Sequence, residues 1–168
     1  MEMNLETVYF YFSEIHRLVC DDGLFYCVNR YKKENYEISK DKLKKLEILK
    51  KKILNIKNCN LKKQAKNIVF SDGNAKSKIM FIGEAPGANE DQEGLPFVGR
   101  AGQLLDRMLK SIDLDRDNVY ITNVVNYRPP ENRKPTDEEI NKYLPFLKRH
   151  IDIIKPKILL LLGSTALN

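Results

Sequence analysis

Three short apolar runs constrain this chain more than any other feature. They lie at residues 78–82 (Lys-Ile-Met-Phe-Ile), 118–125 (Asn-Val-Tyr-Ile-Thr-Asn-Val-Val) and 157–162 (Lys-Ile-Leu-Leu-Leu-Leu). Each has the length of a strand, and amphipathic stretches of helical spacing lie between them. Such alternation builds a parallel sheet with helices on its faces. The predicted class is therefore α/β, a three-layer α/β/α fold around a central parallel sheet. The run at 157–162 lacks polar alternation, as expected of a buried central strand. The chain stops shortly after Gly163-Ser164-Thr165-Ala166, before the helix and strand that would come next. The fold is accordingly expected to be incomplete at the C-terminus.

The helices are marked by spacing and caps. Ser39 can cap a helix over about 40–55, with Leu43, Leu46, Leu49 or Lys50, Ile53 and Ile56 on one face and lysines mostly on the other. A second helix is predicted over 101–112 from Leu104, Leu105, Met108 and Ile112. A third opens at the capping box Thr136-Asp-Glu-Glu139 and continues through Ile140, Leu144, Leu147 and Ile151. Residues 67–70 followed by Ser71-Asp72-Gly73-Asn74 read as a short strand and tight turn. Residues 1–38 are aromatic-rich without clear periodicity and receive no role beyond a small helical extension. Two segments result: an N-terminal extension with a Lys-rich helix over 1–54, and the α/β domain over 55–168.

Charge is unevenly distributed. Residues 1–39 carry 4 basic and 7 acidic side chains, residues 40–66 carry 11 lysines and 2 acids, and residues 67–168 carry 14 of each. The net charge of +6 thus originates in one segment of 27 residues. That patch would attract a polyanion in a salt-dependent way, or it is the solvated face of a helix. No apolar run reaches membrane-spanning length and the N-terminus lacks a signal-peptide pattern, so a cytoplasmic protein without membrane contact is expected. The three cysteines, Cys20, Cys27 and Cys59, fit neither a disulfide framework nor a complete zinc site and read as reduced thiols.

The chemistry concentrates in the loop after the first strand, residues 83–102, GEAPGANEDQEGLPFVGRAG. Open α/β sheets place their ligands beyond the C-terminal strand ends. The ends near Gly83, Asn123 and Gly163 are expected on one edge, gathering Glu84, Glu90, Phe97 and Asn123 at one crevice. Each has a plain structural alternative: a cap for Glu84, a solvated surface for Glu90, core for Phe97, a turn for Asn123. Together they describe a pocket for a planar polar ring, with a face to stack on, an amide to read the edge and carboxylates to organise water. No Lys-Ser/Thr pair follows the glycines, which argues against a phosphate-binding P-loop.

GEAPGANEDQEGLPFVGRAGQLL, VYITNVVNYRPPENRKP and PKILLLLG together resemble the family 4 uracil-DNA glycosylases, a branch of the uracil-DNA glycosylase superfamily, over roughly residues 55–168. The resemblance implies base excision repair: hydrolysis of the N-glycosidic bond of deoxyuridine in DNA after the base has left the stack. It implies that Gly83, Glu84, Ala85 and Pro86 lie against the flipped base and its sugar. Phe97 would stack on uracil and Asn123 would read its edge. Glu90 would position or activate the attacking water, with Glu84 as the second catalytic candidate. An amide can accept from uracil N3–H and donate to O4, whereas cytosine presents the reverse pattern. Lys44, Lys45, Lys51, Lys52, Lys62 and Lys63 are the expected DNA contacts.

The departures from the family are as informative. Its members usually hold a 4Fe–4S cluster on four cysteines. Cys59 matches one ligand, but Ile56, Tyr127 and Tyr143 stand at the other three positions. A cubane cluster needs about four thiolates, so no cofactor is expected. The family's second motif, a histidine followed by proline, has no match in residues 1–168; His16 and His150 do not fit it, and His150 reads as a surface or helix-end residue. Weak or lost activity follows, with a non-catalytic nucleic-acid-binding module as the alternative. A separate C-terminal fragment completing the domain is a possible partner.

Overall fold

Residues 40–163 are described by a computed structural model of the chain. The readings on Ser39, on residues 1–38 with Cys20, Cys27 and His16, and on residues 164–168 lie outside the described residues. In chain order the elements are α1 (Lys40–Leu54), α2 (Asn60–Gln64), β1 (Asp72–Gly73), β2 (Ile79–Gly83), α3 (Ala88–Glu93), α4 (Arg100–Lys110), β3 (Tyr120–Asn123), α5 (Asp137–Ile154) and β4 (Ile158–Leu161). Short 3-10 turns at Arg116–Asn118 and Pro130–Asn132 precede β3 and α5.

The sheet order is β1-β3-β2-β4. β2 pairs in parallel with β3 on one side and β4 on the other, while the two-residue β1 runs antiparallel to β3. β2 is thus the central strand of the described sheet, and all five of its residues are buried. β4 lies at the edge of the described sheet and is half-buried throughout, where the sequence pointed to a buried central strand at 157–162. One flank of β4 pairs with β2, Leu159 and Leu161 pack against the core, and the outer flank has no strand partner among the described residues.

The chain leaves β2 for β3 on one side, then crosses back over β2 to reach β4. With right-handed crossovers, this reversal puts α4 and α5 on opposite faces of the sheet. The burial pattern agrees. Met80, Ile82 and Tyr120 share a core with Leu46, Leu49 and Ile53 of α1 and Tyr143, Ile153 and Ile154 of α5. Ile79, Phe81 and Ile121 alternate to the other face, and α4 contributes the buried Leu105 and Leu109. The three-layer α/β/α architecture expected from the sequence is present.

α1 is packed as part of this domain, so the boundary placed at residue 54 falls inside one core. Leu43 lies off the buried face and is about half exposed. The helix runs antiparallel to α5. Near its start, Lys42 Nζ donates to the carbonyls of Ala75 (3.0 Å) and Ile154 (2.8 Å), both at the N-terminal edge of the sheet. Beyond its end, Asn58 accepts from Lys142 Nζ, close to where α5 begins. α5 starts with the predicted capping box: Thr136 N donates to Glu139 Oε2 (2.8 Å) and Glu139 N to Thr136 Oγ1 (3.3 Å). No helix among the described residues is long and apolar enough to cross a membrane.

The segment 67–70, expected as a strand, joins no ladder, and the ladder residues are the turn's own Asp72 and Gly73. The segment is tied instead to the loop after β3. Val69 N donates to Asn126 O (2.8 Å) and Asn126 Nδ2 returns a bond to Val69 O (3.0 Å).

Candidate functional site

Parallel pairing sets Gly83 opposite Asn123 at the C-terminal ends of β2 and β3. Beyond the ladder, Val124 N donates to Gly83 O (2.8 Å) and Val125 N to Glu84 O (3.2 Å), so the two strand ends leave the sheet together. At Gly83 the backbone touches the two side chains of greatest interest. A Cβ there would overlap Asn123 Oδ1 and lie 2.6 Å from Phe97 Cζ. Phe97 and Asn123 therefore converge on one point of the central strand, and only glycine leaves them room. The third strand end joins them: a Cβ on Gly163 would stand 3.8 Å from Glu84 Oε2. Glu84 thus lies between the ends of β2 and β4, where the connections diverge and open sheets form their ligand crevice.

Phe97 reaches this point through an unusual backbone. Its φ is +55°, the left-handed region that non-glycine residues rarely adopt. Two residues hold it there. Gly102, in the first turns of α4, lies so close that a Cβ would overlap the Phe97 carbonyl and come within 2.8 Å of its Cα. Arg116 clamps the same segment: its Nη2 donates to Phe97 O and its Nη1 to Pro96 O (3.1 Å). Arg116 is itself fixed by Asp72 (2.6 Å) and Asp106 (2.8 Å). The strained loop and half-buried ring thus rest on a bracing ion-pair network. Neither Gly102 nor Arg116 was singled out from the sequence. The close helix approach in Phe-Val-Gly-Arg-Ala-Gly was a signal for the first; nothing local marks the second.

Glu90, the expected water-positioning group, is engaged by the backbone of its own loop. Its Oε1 accepts from Val98 N (3.0 Å) and Gly99 N (2.7 Å), and its Oε2 from Gly87 N (3.1 Å). These bonds tie the start of α3 to the start of α4 and take up three of the carboxylate's roughly four acceptor positions. Asp91, beside it and buried, accepts from the backbone of Lys66 (2.9 Å) and Asn67 (3.1 Å) and so anchors that segment to α3. By contrast, among the described residues no hydrogen bond engages the Glu84 carboxylate or the Asn123 side-chain amide. Ala85 is half-buried and Pro86 buried, both in the same loop.

The four positions matching cluster ligands also come together, on the α5 side of the sheet. Cys59 Sγ and Tyr143 OH are 3.2 Å apart and buried. Tyr127 is buried with its hydroxyl unpartnered, and Ile56 packs against the same core. Burial raises the Tyr143 and Tyr127 pKa values, with the neighbouring Cys59 adding to both. One thiol, two neutral phenols and an aliphatic side chain do not fit a cluster that requires four thiolates. The Tyr143 hydroxyl already pairs with the Cys59 thiol.

His150 corrects the sequence reading. It is 2% exposed rather than at the surface. Tyr120 OH pairs with its Nε2 at 2.7 Å, and its ring stacks on Phe70 at 4.6 Å. Burial lowers its pKa to about 4. It lies in the core, apart from Gly83 and its neighbours.

The expected DNA-contacting lysines divide along α1 and α2. Lys44 and Lys45 lie near the start of α1, toward the N-terminal edge of the sheet, and Lys45 pairs with Asp41 (2.5 Å). Lys51 and Lys52 are exposed in its last turn. Lys62 caps the end of α1 by donating to Leu54 O, and Lys63 is exposed beside it. A shallow groove between α1 and α5 is lined by Lys45, Ile48, Leu49, Lys52 and Arg149.

Comparison with known proteins gives this geometry its context. The uracil DNA glycosylase superfamily model matches residues 70–168. The chain is 53% identical over 119 residues to the type-4 uracil-DNA glycosylase of Sulfurisphaera tokodaii, covering 70% of this chain and 54% of that protein. It is 49% identical over 119 residues to the Saccharolobus solfataricus type-4 enzyme, covering 70% and 55%. It is 46% identical over 124 residues to that of Archaeoglobus fulgidus, covering 74% and 62%. The chain spans between half and two thirds of the length of these relatives. The matched region carries the Gly83 crevice from the central strand to the end of β4, and by that match the chain belongs to the uracil DNA glycosylase superfamily.

Proposed function

We propose that this domain binds uracil-containing DNA and holds an extruded uracil in the crevice at Gly83. The ring stacks on Phe97, and the Asn123 amide accepts from N3–H and donates to O4. Glu84 stands at the mouth between the ends of β2 and β4, unpartnered among the described residues and placed to order a water or a sugar hydroxyl. The observation that carries this reading is the convergence of Phe97 and Asn123 on the glycine that ends the central strand. Asn123 is buried with its amide uncommitted among the described residues, and an uncommitted buried amide suits reading a base edge.

Base recognition is better supported than rapid bond cleavage. Glu90, the expected water-activating group, spends its oxygens on three backbone amides and acts through the loop it holds. The function is therefore uracil recognition with slow N-glycosidic hydrolysis at most. Single-turnover excision from single- and double-stranded uracil-containing oligonucleotides tests this. Slow or undetectable release alongside measurable uracil-dependent binding is expected. Rapid release abolished by Glu90→Gln, with the fold intact, would make Glu90 a catalytic base and overturn the assignment. We further propose that the domain carries no iron–sulfur cluster, since only one of the four matching positions, Cys59, carries a thiol; stoichiometric iron after anaerobic purification would refute this.

A further inference from the structure

We infer that DNA reaches the crevice over Lys57, Lys63 and Lys66, and that Lys44 and Lys45 lie outside the contact. This deepens the DNA-binding reading above and rests on it. The reason is topological. α1 starts at the N-terminal edge of the sheet, where Lys42 bonds Ala75 and Ile154. It ends at the opposite edge, where Lys142 bonds Asn58 and Cys59 meets Tyr143. At about 1.5 Å rise per residue, the start of α1 lies about 20 Å farther from the crevice edge than its end. That exceeds the Debye length of about 8 Å at physiological salt. The lysines of one sequence run are therefore electrostatically separate groups.

The crevice-end group is physically continuous with the base site. Lys66 follows α2 and its backbone N–H is held by Asp91 of α3, the helix inside the crevice loop. Asn67 extends the same junction, its Nδ2 donating to Asp91 O (2.8 Å) and Gln92 O (3.1 Å). Val69 then joins the loop after β3 through Asn126. The chain carrying Lys63 and Lys66 is thus fastened to both walls of the crevice. Lys57, Lys63 and Lys66 are exposed, and none has an ion-pair partner among the described residues. The loop itself is acidic, with Glu84, Glu90, Asp91 and Glu93. A polyanion needs nearby cations to approach it, and these three lysines sit where they can supply them. The partner they fit is a single nucleic-acid strand whose phosphates pass beside the flipped base.

The test compares two double variants of equal charge change, Lys63→Glu/Lys66→Glu and Lys44→Glu/Lys45→Glu. Affinity for a single-stranded uracil-containing oligonucleotide is measured from 50 to 300 mM salt, with circular dichroism to confirm the fold. The parent should show log affinity falling linearly with log salt. The first pair should flatten the slope by about 1.4, or about 0.7 per lost phosphate contact; the second should leave it unchanged. Equal flattening by both pairs, or flattening by the second alone, overturns the inference. Absence of salt-dependent binding by the parent overturns the DNA reading beneath it as well. A uracil preference that survives in the first pair, at reduced affinity, supports the base pocket as a separate element.

Discussion

The crevice at Gly83 and the core around Cys59 lie on either side of the short loop 124–127, and they are built on opposite terms. At the crevice, polar side chains are left uncommitted while the backbone is held tightly: Glu84 and Asn123 lack partners among the described residues, and Phe97 is braced at a positive φ by Gly102 and Arg116. Around Cys59 the polar atoms are mostly spent internally: thiol on phenol at 3.2 Å, and nearby Tyr120 on His150 at 2.7 Å. The lesson is that spatial convergence alone does not mark a functional site. Four family-matched positions converge in both places, but around Cys59 the one unspent group, the Tyr127 hydroxyl, is buried in the core, whereas the crevice keeps an amide and a carboxylate uncommitted at the strand ends.

If the crevice depends on a braced backbone, the largest effect should come from the brace. Gly102→Ala would force a Cβ into the Phe97 carbonyl, and neither backbone can yield cheaply. We expect a loss of about 3 kcal/mol or more in stability, read from the urea midpoint, together with loss of uracil binding. A stable, binding-competent Gly102→Ala protein would break the account of how Phe97 is positioned.

The closed side makes a comparably large prediction through His150. Its pKa falls from 6.5 to about 4 on folding because burial disfavours the charged ring. The unfolded chain then binds a proton that the folded chain refuses. Stability is full above about pH 6.5 and declines as pH falls through the window down to about 4, losing about 3 kcal/mol in all. Urea titrations at several pH values should show this decline, and His150→Gln should reduce it. An unchanged slope in that variant would place the acid sensitivity elsewhere.

Much of this contrast was legible in the sequence, and its limits have physical causes. β2, β3 and α5 were visible because apolar runs and a capping box are local signals. The convergence of Gly83, Phe97 and Asn123 was also legible, because parallel strands must end on one edge. β1 was misplaced because a two-residue ladder is defined by its partner β3, not by its own composition. β4 read as central because its leucines record apolarity but not which flank is paired. His150 read as exposed because histidine carries no burial signal; only Tyr120 and Phe70, distant in sequence, make a place for it. The three amide donors to Glu90 were not legible, because they belong to loop geometry that no spacing reveals.

A smaller pair of effects sharpens the comparison within the closed side. Tyr143→Phe removes the partner of the Cys59 thiol and should cost about 1 kcal/mol. Tyr127→Phe removes a buried hydroxyl that has no partner and should be neutral or stabilising by about 1 kcal/mol. Opposite signs from one chemical change at neighbouring rings would confirm which hydroxyl is satisfied. Equal losses would show that Tyr127 has a bonding partner after all.

Everything proposed for the crevice turns on the uncommitted Asn123 amide beside Phe97 as the reader of uracil. The most direct measurement is the affinity ratio for otherwise identical single-stranded oligonucleotides carrying one uracil or one cytosine, in the parent and in Asn123→Asp. The parent should prefer uracil, and the preference should collapse in the variant, because a carboxylate cannot donate to O4 and can accept from the cytosine amino group. An undiminished uracil preference in Asn123→Asp would contradict that role.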